Sequence, residues 1–196
     1  MIGKYWENIC GFKDRGTCAT CNTQESMSHI LTECNAPPTH LIWNHARNVW
    51  LYDNIRWPEI DLGIIIGCGS LHLLTNNAPR ENDQQNMEKI RQGLTHLLQI
   101  LISEAAYLIW AMRCERTMQG KTHNANEIKG RWLRSINERL TTDKIQATTI
   151  KRNKGFTELV VKTWEQALSK ECELPIKWIY DSEVLVGRTA QHTQER

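Results

Sequence analysis

The chain has 196 residues, enough for one domain or two small ones with a working core. Hydrophobic residues make up 40% and charged residues 23% at a net charge of +2, a globular balance that excludes wholesale disorder. Apolar runs such as IIIG are far too short to span a bilayer, and the opening MIGKYWENIC lacks the basic start and long apolar stretch of a secretory signal. The expected setting is therefore intracellular, nucleus or cytoplasm, where disulfides do not persist, and an odd count of seven cysteines also suits a disulfide framework poorly. Eight tryptophans call for burial or a partner surface.

The first element is RGTCATCNTQESMSHILTECNAP, which spaces Cys18, Cys21, His29 and Cys34 as C-x2-C-x7-H-x4-C. Two residues between Cys18 and Cys21 let one turn aim both sulfurs at one centre, and three thiolates with an imidazole are a zinc donor set. ESMSHILTEC reads as a short helix with Ile30 and Leu31 facing a core. At about 100° per residue, a continuous α-helix would aim Cys34 about 140° away from His29. The helix must therefore end near Thr32–Glu33 and Cys34 must return as the chain leaves, with Pro37-Pro38 as a stop. Cys10, His40 and His45 are substitutes for one of the four ligands. Cys68, Cys114 and Cys172 read as small buried hydrophobes.

From Pro38 to about Asp53, Leu41, Ile42, His45, Val49 and Tyr52 recur at helical spacing, and Asn54 with Trp57-Pro58 ends the run. DLGIIIGCGSL suggests one short strand or a buried connection, and LTNNAPREND a polar hinge. A long helix is predicted from about Gln84 to Gln119. Its apolar arc, built on Ile90, Leu94, Leu97, Leu101, Ala105, Leu108 and Met112, is wide enough to be packed from several sides, and Gly120 caps it. Asn124 with Glu127 forms a capping box for the next helix, whose stripe is Ile128, Trp132, Ile136 and Leu140. Ile145 falls off that stripe, so a break is expected near Thr141–Asp143. A last helix is predicted for Phe156–Cys172, and the tail from Gly187 reads as loose. The expected architecture is mainly α, with at most one or two short strands and a small N-terminal CCHC zinc knuckle packed on long helices. It divides into a zinc-binding region (1–58), a connecting segment (59–83), a helical region (84–186) and a tail (187–196).

Cys18, Cys21, Glu25, His29-Ile30-Leu31, Cys34 and Trp43 resemble the reverse-transcriptase zinc-binding domain that follows the polymerase in many non-LTR retrotransposons. The motif covers about the first fifty residues. LLQILISEAAYLIWAMRCER and EIKGRWLRSINERLTTDKI are similar in general character to the helical tail of fungal proteins of this kind, which occur beside reverse-transcriptase or RNase H regions. The resemblance implies a Zn2+ ion and RNA or DNA, the template or target of a retroelement, as partner, with a reverse transcriptase or another protein as the protein partner.

No catalytic residues stand out. The chain has no Asp-Asp pair for a polymerase palm, and one doubtful strand cannot supply the sheet that an RNase H site needs for its two metals. The H-x-E and P-C-x-x-C signature of zinc deaminases is absent. Four protein ligands would also close a zinc ion to water. Charge is the other signal. Residues 129–154 hold eight basic and two acidic side chains, while each flanking portion is net acidic. Arg131, Arg134, Lys144, Lys151, Arg152 and Lys154 are the candidate phosphate contacts, with Arg131 and Arg134 expected to be solvated. The sequence thus favours a zinc-containing, non-catalytic nucleic-acid-binding segment. The alternatives are a protein-interaction scaffold stapled by zinc and a decayed retroelement fragment.

Overall fold

The computed structural model describes residues 2–50, 55–73, 84–149, 154–165, 167–168, 177–181 and 183–187. Among the described residues five α-helices carry the fold: α1 (Pro37–Val49), α2 (Leu62–Ile66), α3 (Gln84–Gln119), α4 (Ala125–Thr149) and α5 (Lys154–Trp164). Short 3-10 turns and one π-helical turn fill in between. Among the described residues no strand forms; Thr17–Gln24 and Leu168–Val186 are isolated antiparallel bridges. The expected hinge at 74–83, the helix stop at Asn54 and the tail from 188 lie outside the described residues.

α3 is the axis of the molecule, in contact with α1, α4, α5 and the π-helical turn of the N-terminal region. Its wide apolar arc is buried, with Leu97, Leu101, Ile102 and Ala105 fully so and Leu108 nearly so. Length and composition alone would let Asn86–Gln119 cross a bilayer; here that surface is the core of the helical packing. α5 lies directly against Gly93: a Cβ there would sit 2.6–2.7 Å from backbone and Cβ atoms of Lys162. Gly120 ends the helix in the left-handed region at φ +66, its N–H donating to the Arg116 carbonyl at 3.0 Å.

α4 begins on the expected box: the Asn124 N–H donates to Glu127 (2.9 Å) and the Glu127 N–H to the Asn124 side chain (3.0 Å). Ile128, Trp132, Ile136 and Leu140 are buried against the core. The break expected at Thr141–Asp143 does not occur, and the helix runs on to Thr149. Its buried side turns polar instead. Asp143 accepts a hydrogen bond from the Trp164 indole at 2.9 Å and lies 3.3 Å from Arg139, and the Lys144 ammonium donates to the Asp181 carbonyl. Partnered in this way, two charged side chains stay inside without unwinding the backbone. Ile145 is left 58% exposed, as its off-stripe position demands.

Two further expectations are corrected. DLGIIIGCGSL is helical: the Asp61 carboxylate accepts from the Ile64 N–H at 2.7 Å, an N-cap that starts α2, and Ile66 is exposed rather than buried. The last helix stops at Trp164 instead of Cys172, because Ala167 and Leu168 enter the core and Leu168 pairs with Val186. Five tryptophans (6, 50, 132, 164, 178) are buried; the other three are half-buried.

Candidate metal centre

The segment 16–36 is built by local hydrogen bonding. The Cys18 N–H donates to the Thr23 carbonyl and the Asn22 N–H to the Cys18 carbonyl, both at 2.8 Å, and the Thr17–Gln24 bridge closes the loop. Asn22 takes the left-handed conformation at φ +53, which asparagine tolerates better than most residues. This hairpin-like turn places Cys18 and Cys21 side by side. The Ser26 hydroxyl then accepts from the His29 N–H at 2.9 Å and opens the next turn.

That turn, His29–Glu33, is π-helical, and Cys34 follows it in extended conformation. An α-helix makes neighbours of residues four apart; i→i+5 bonding does so for residues five apart. His29 and Cys34 are five apart, so the wide turn resolves the angular conflict that an α-helix would impose. The helix therefore ends where expected, at Glu33, by a device that the spacing alone did not reveal. Ile30 and Leu31 enter the core, and the Leu31 carbonyl accepts from the Trp43 indole of α1 at 2.8 Å.

The four ligand atoms of Cys18, Cys21, His29 and Cys34 lie within 4.8 Å of one another. Cys34 Sγ is 3.7 Å from Cys18 Sγ and 3.9 Å from Cys21 Sγ. A tetrahedral ion with sulfurs at ~2.3 Å requires sulfur–sulfur edges of about 3.8 Å, so both separations match. His29 Nε2 is buried and has no hydrogen-bond partner in the protein, as a ligand nitrogen aimed at an ion requires. The Asn35 N–H points to Cys21 Sγ (3.3 Å) and the Ala36 N–H to Cys34 Sγ (3.5 Å), which favours thiolate over thiol. Burial pushes the Cys18 thiol up, but the His29 imidazole and the backbone of Cys21 and Thr20 outweigh it and bring it down to about 6. Burial, reinforced by the two neighbouring thiols, drives Cys34 up to about 11. These residues fit a four-ligand Cys3His metal site. Of the substitutes, Cys10 and His40 are exposed and His45 sits half-buried on α1, and none joins the cluster. Cys68 and Cys114 are half-buried rather than core residues, and Cys172 lies outside the described residues.

Beside the cluster lies a group whose members stand 88 residues apart in sequence. Glu25, almost fully buried, accepts from Arg113 Nε of α3 at 2.9 Å and makes a second contact with the same guanidinium. Arg116 Nη2 lies 4.0 Å from Glu25 and 4.0 Å from Cys18 Sγ. The available signal was Arg113 itself, a cation next to Met112 on the buried arc of α3.

The six candidate phosphate contacts are distributed differently from expectation. Arg134 and Lys154 are exposed. Arg131 is half-buried and forks onto the Glu115 carboxylate of α3 with two bonds of 2.8 Å, holding that carboxyl below its usual range. Lys144 is buried, as described above; Lys151 and Arg152 lie outside the described residues. Lys129, one turn before the stripe residue Trp132, is exposed as well. No family model, curated protein or solved structure matches this chain.

Proposed function

We propose that this chain is a non-catalytic module in which a structural zinc ion closes a Cys3His knuckle against a helical body, and that the module holds RNA or DNA for a catalytic unit elsewhere. The convergence of four ligand atoms within 4.8 Å is the observation that carries this reading. Three sulfurs and a nitrogen gathered within 4.8 Å suit zinc over magnesium or calcium, which take oxygen ligands. A closed coordination sphere leaves no place for an activated water, so the ion organises the chain rather than acting as a catalyst. The likeness of the motif to the reverse-transcriptase zinc-binding domain supplies the nucleic-acid partner, and the exposed cations Lys129, Arg134 and Lys154 supply phosphate contacts. Such contacts position a backbone without reading bases.

A second reading, a protein-interaction scaffold, has its own observation: Arg131 and Lys144 are spent inside the fold. A salt series on mixed-sequence RNA and DNA separates the two. Three phosphate contacts to a single strand give a log–log slope of about −2, at ~0.7 per contact. Lys129→Glu with Arg134→Glu should abolish most of the binding at low salt. Arg131 is avoided, because a glutamate there would face Glu115. If wild type fails to bind at low salt, or the double mutant binds as well, the scaffold reading stands.

A further inference from the structure

We infer that Arg116 is the positioning charge of the metal centre, and that the buried Glu25–Arg113–Arg116 group suits the site to a divalent ion and couples its occupancy to the docking of α3. This rests on the metal reading above and adds residues that lie outside the ligand set.

Glu25 occupies the junction between the two halves of the knuckle. On one side its neighbour Gln24 bridges Thr17, which adjoins Cys18. On the other its neighbour Ser26 caps the turn that carries His29. Its own N–H donates to the Gly16 carbonyl at 2.9 Å. Its carboxylate reaches 88 residues along the chain to Arg113, and the same carboxylate lies 4.0 Å from Arg116. Arg116 Nη2 in turn faces Cys18 Sγ, on a fully buried ligand. The α3 helix is thereby fastened to the ligand-bearing loop at its midpoint and at a sulfur.

Charge gives this arrangement its consequence. Three thiolates and a neutral imidazole around a divalent ion carry one net negative charge. Glu25 adds a second, and Arg113 and Arg116 cancel both. With a monovalent ion the group keeps a net negative charge, and with three protonated thiols and no ion it keeps a net positive one. Uncompensated charge away from water is costly, so the protein is best satisfied with a divalent ion bound. An N–H aimed at a ligand sulfur also fixes the sulfur's orientation, and outer contacts of this kind change metal affinity by roughly 10–100-fold.

The test titrates full-length protein with cobalt(II) against a chromophoric chelator, reading both affinity and the thiolate-to-cobalt absorption. Arg116→Met should weaken binding by about 10–100-fold while leaving the spectrum tetrahedral, and Arg116→Lys should recover most of the loss. Arg47→Met, which removes an exposed cation from α1, should change nothing. Arg116→Met with wild-type affinity, or Arg116→Lys no better than Arg116→Met, overturns the inference. A wild type without thiolate-to-cobalt absorption instead overturns the metal reading and this inference with it, so the two failures are told apart. Should Arg116→Met not fold, hydrogen exchange on wild type decides: chelation should speed exchange at residues 113–119 of α3 and leave 97–101 unchanged. Identical exchange at 113–119 with and without metal overturns the coupling.

Discussion

Gly93 offers a test in which two elementary effects oppose each other. It lies inside α3, and by helix propensity alone Gly93→Ala should stabilise the protein by about 0.8–1 kcal/mol. At this position, however, the new methyl would meet the Lys162 backbone of α5 at 2.6–2.7 Å. Ordinary carbon contacts start near 3.5 Å, so α5 must retreat by about 0.8–0.9 Å. The obstacle is backbone rather than the tip of a flexible side chain, and the retreat loosens Val160 and Trp164, both fully buried. Overpacking of this kind costs about 1–3 kcal/mol, and the upper part of that range applies here. The net expectation is a loss of about 1–2 kcal/mol, or about 2–8 °C in melting midpoint for a chain of this size. Gly130→Ala is the internal control: it sits in α4 with nothing within 4 Å of the added Cβ, and should gain about 0.5–1 kcal/mol. Urea and thermal melts followed by far-ultraviolet circular dichroism, at saturating zinc, would measure both. If Gly93→Ala matches or exceeds wild type, α5 does not approach α3 as described.

Cys18→Ser should eliminate stoichiometric zinc in the purified protein, whereas Cys68→Ser should retain it; equal metal content by elemental analysis would refute the ligand assignment. Leu101→Ala, at a fully buried position of α3, should cost about 2–5 kcal/mol in urea denaturation, and a loss well under 1 kcal/mol would make that helix peripheral. Lys144 links stability to pH. Burial holds its ammonium below the ordinary 10.5, with Asp181 opposing, so the unfolded chain binds that proton more tightly. Its contribution to stability therefore rises as pH climbs toward 10.5, the reverse of a lysine gaining an ion-pair partner. The stability difference between wild type and Lys144→Met should move in favour of wild type as pH rises toward 10.5, and a flat difference would place the ammonium in water.

What the sequence disclosed were features written within one or two turns of chain. The apolar period of α3 announces both of its ends, and Asn124 and Glu127 cap α4 from three residues apart. Cys18, Cys21, His29 and Cys34 converge because seventeen consecutive residues make their own turns. The misreadings share a different cause. The off-stripe Ile145 suggests a helix break near Thr141–Asp143, but α4 runs on because the buried Asp143 and Lys144 find partners, Trp164 and Asp181, 21 and 37 residues away. Arg131 looked solvated because Glu115 belongs to the preceding helix. The last helix ends short of Cys172 because Leu168 is paired with Val186, a partner that no local pattern announces. IIIG looked like a strand by composition, and the side chain of Asp61 outweighed that preference.

The separation between Glu25 and Arg113 has a consequence during synthesis. The four ligands and the backbone hydrogen bonds that turn the metal loop lie between residues 16 and 36, so it can close around an ion as soon as those residues leave the ribosome. Its dock on α3 is 88 residues further along. At about 5–20 residues per second, the nascent knuckle waits roughly 4–18 s with the Glu25 carboxylate still hydrated. Zinc capture in that interval would yield a finished N-terminal unit onto which the emerging α3 folds, whereas in zinc-poor cells α3 would emerge beside a loop still lacking its shape. The order in which ion and helix arrive therefore decides whether the helical body assembles on a template or without one.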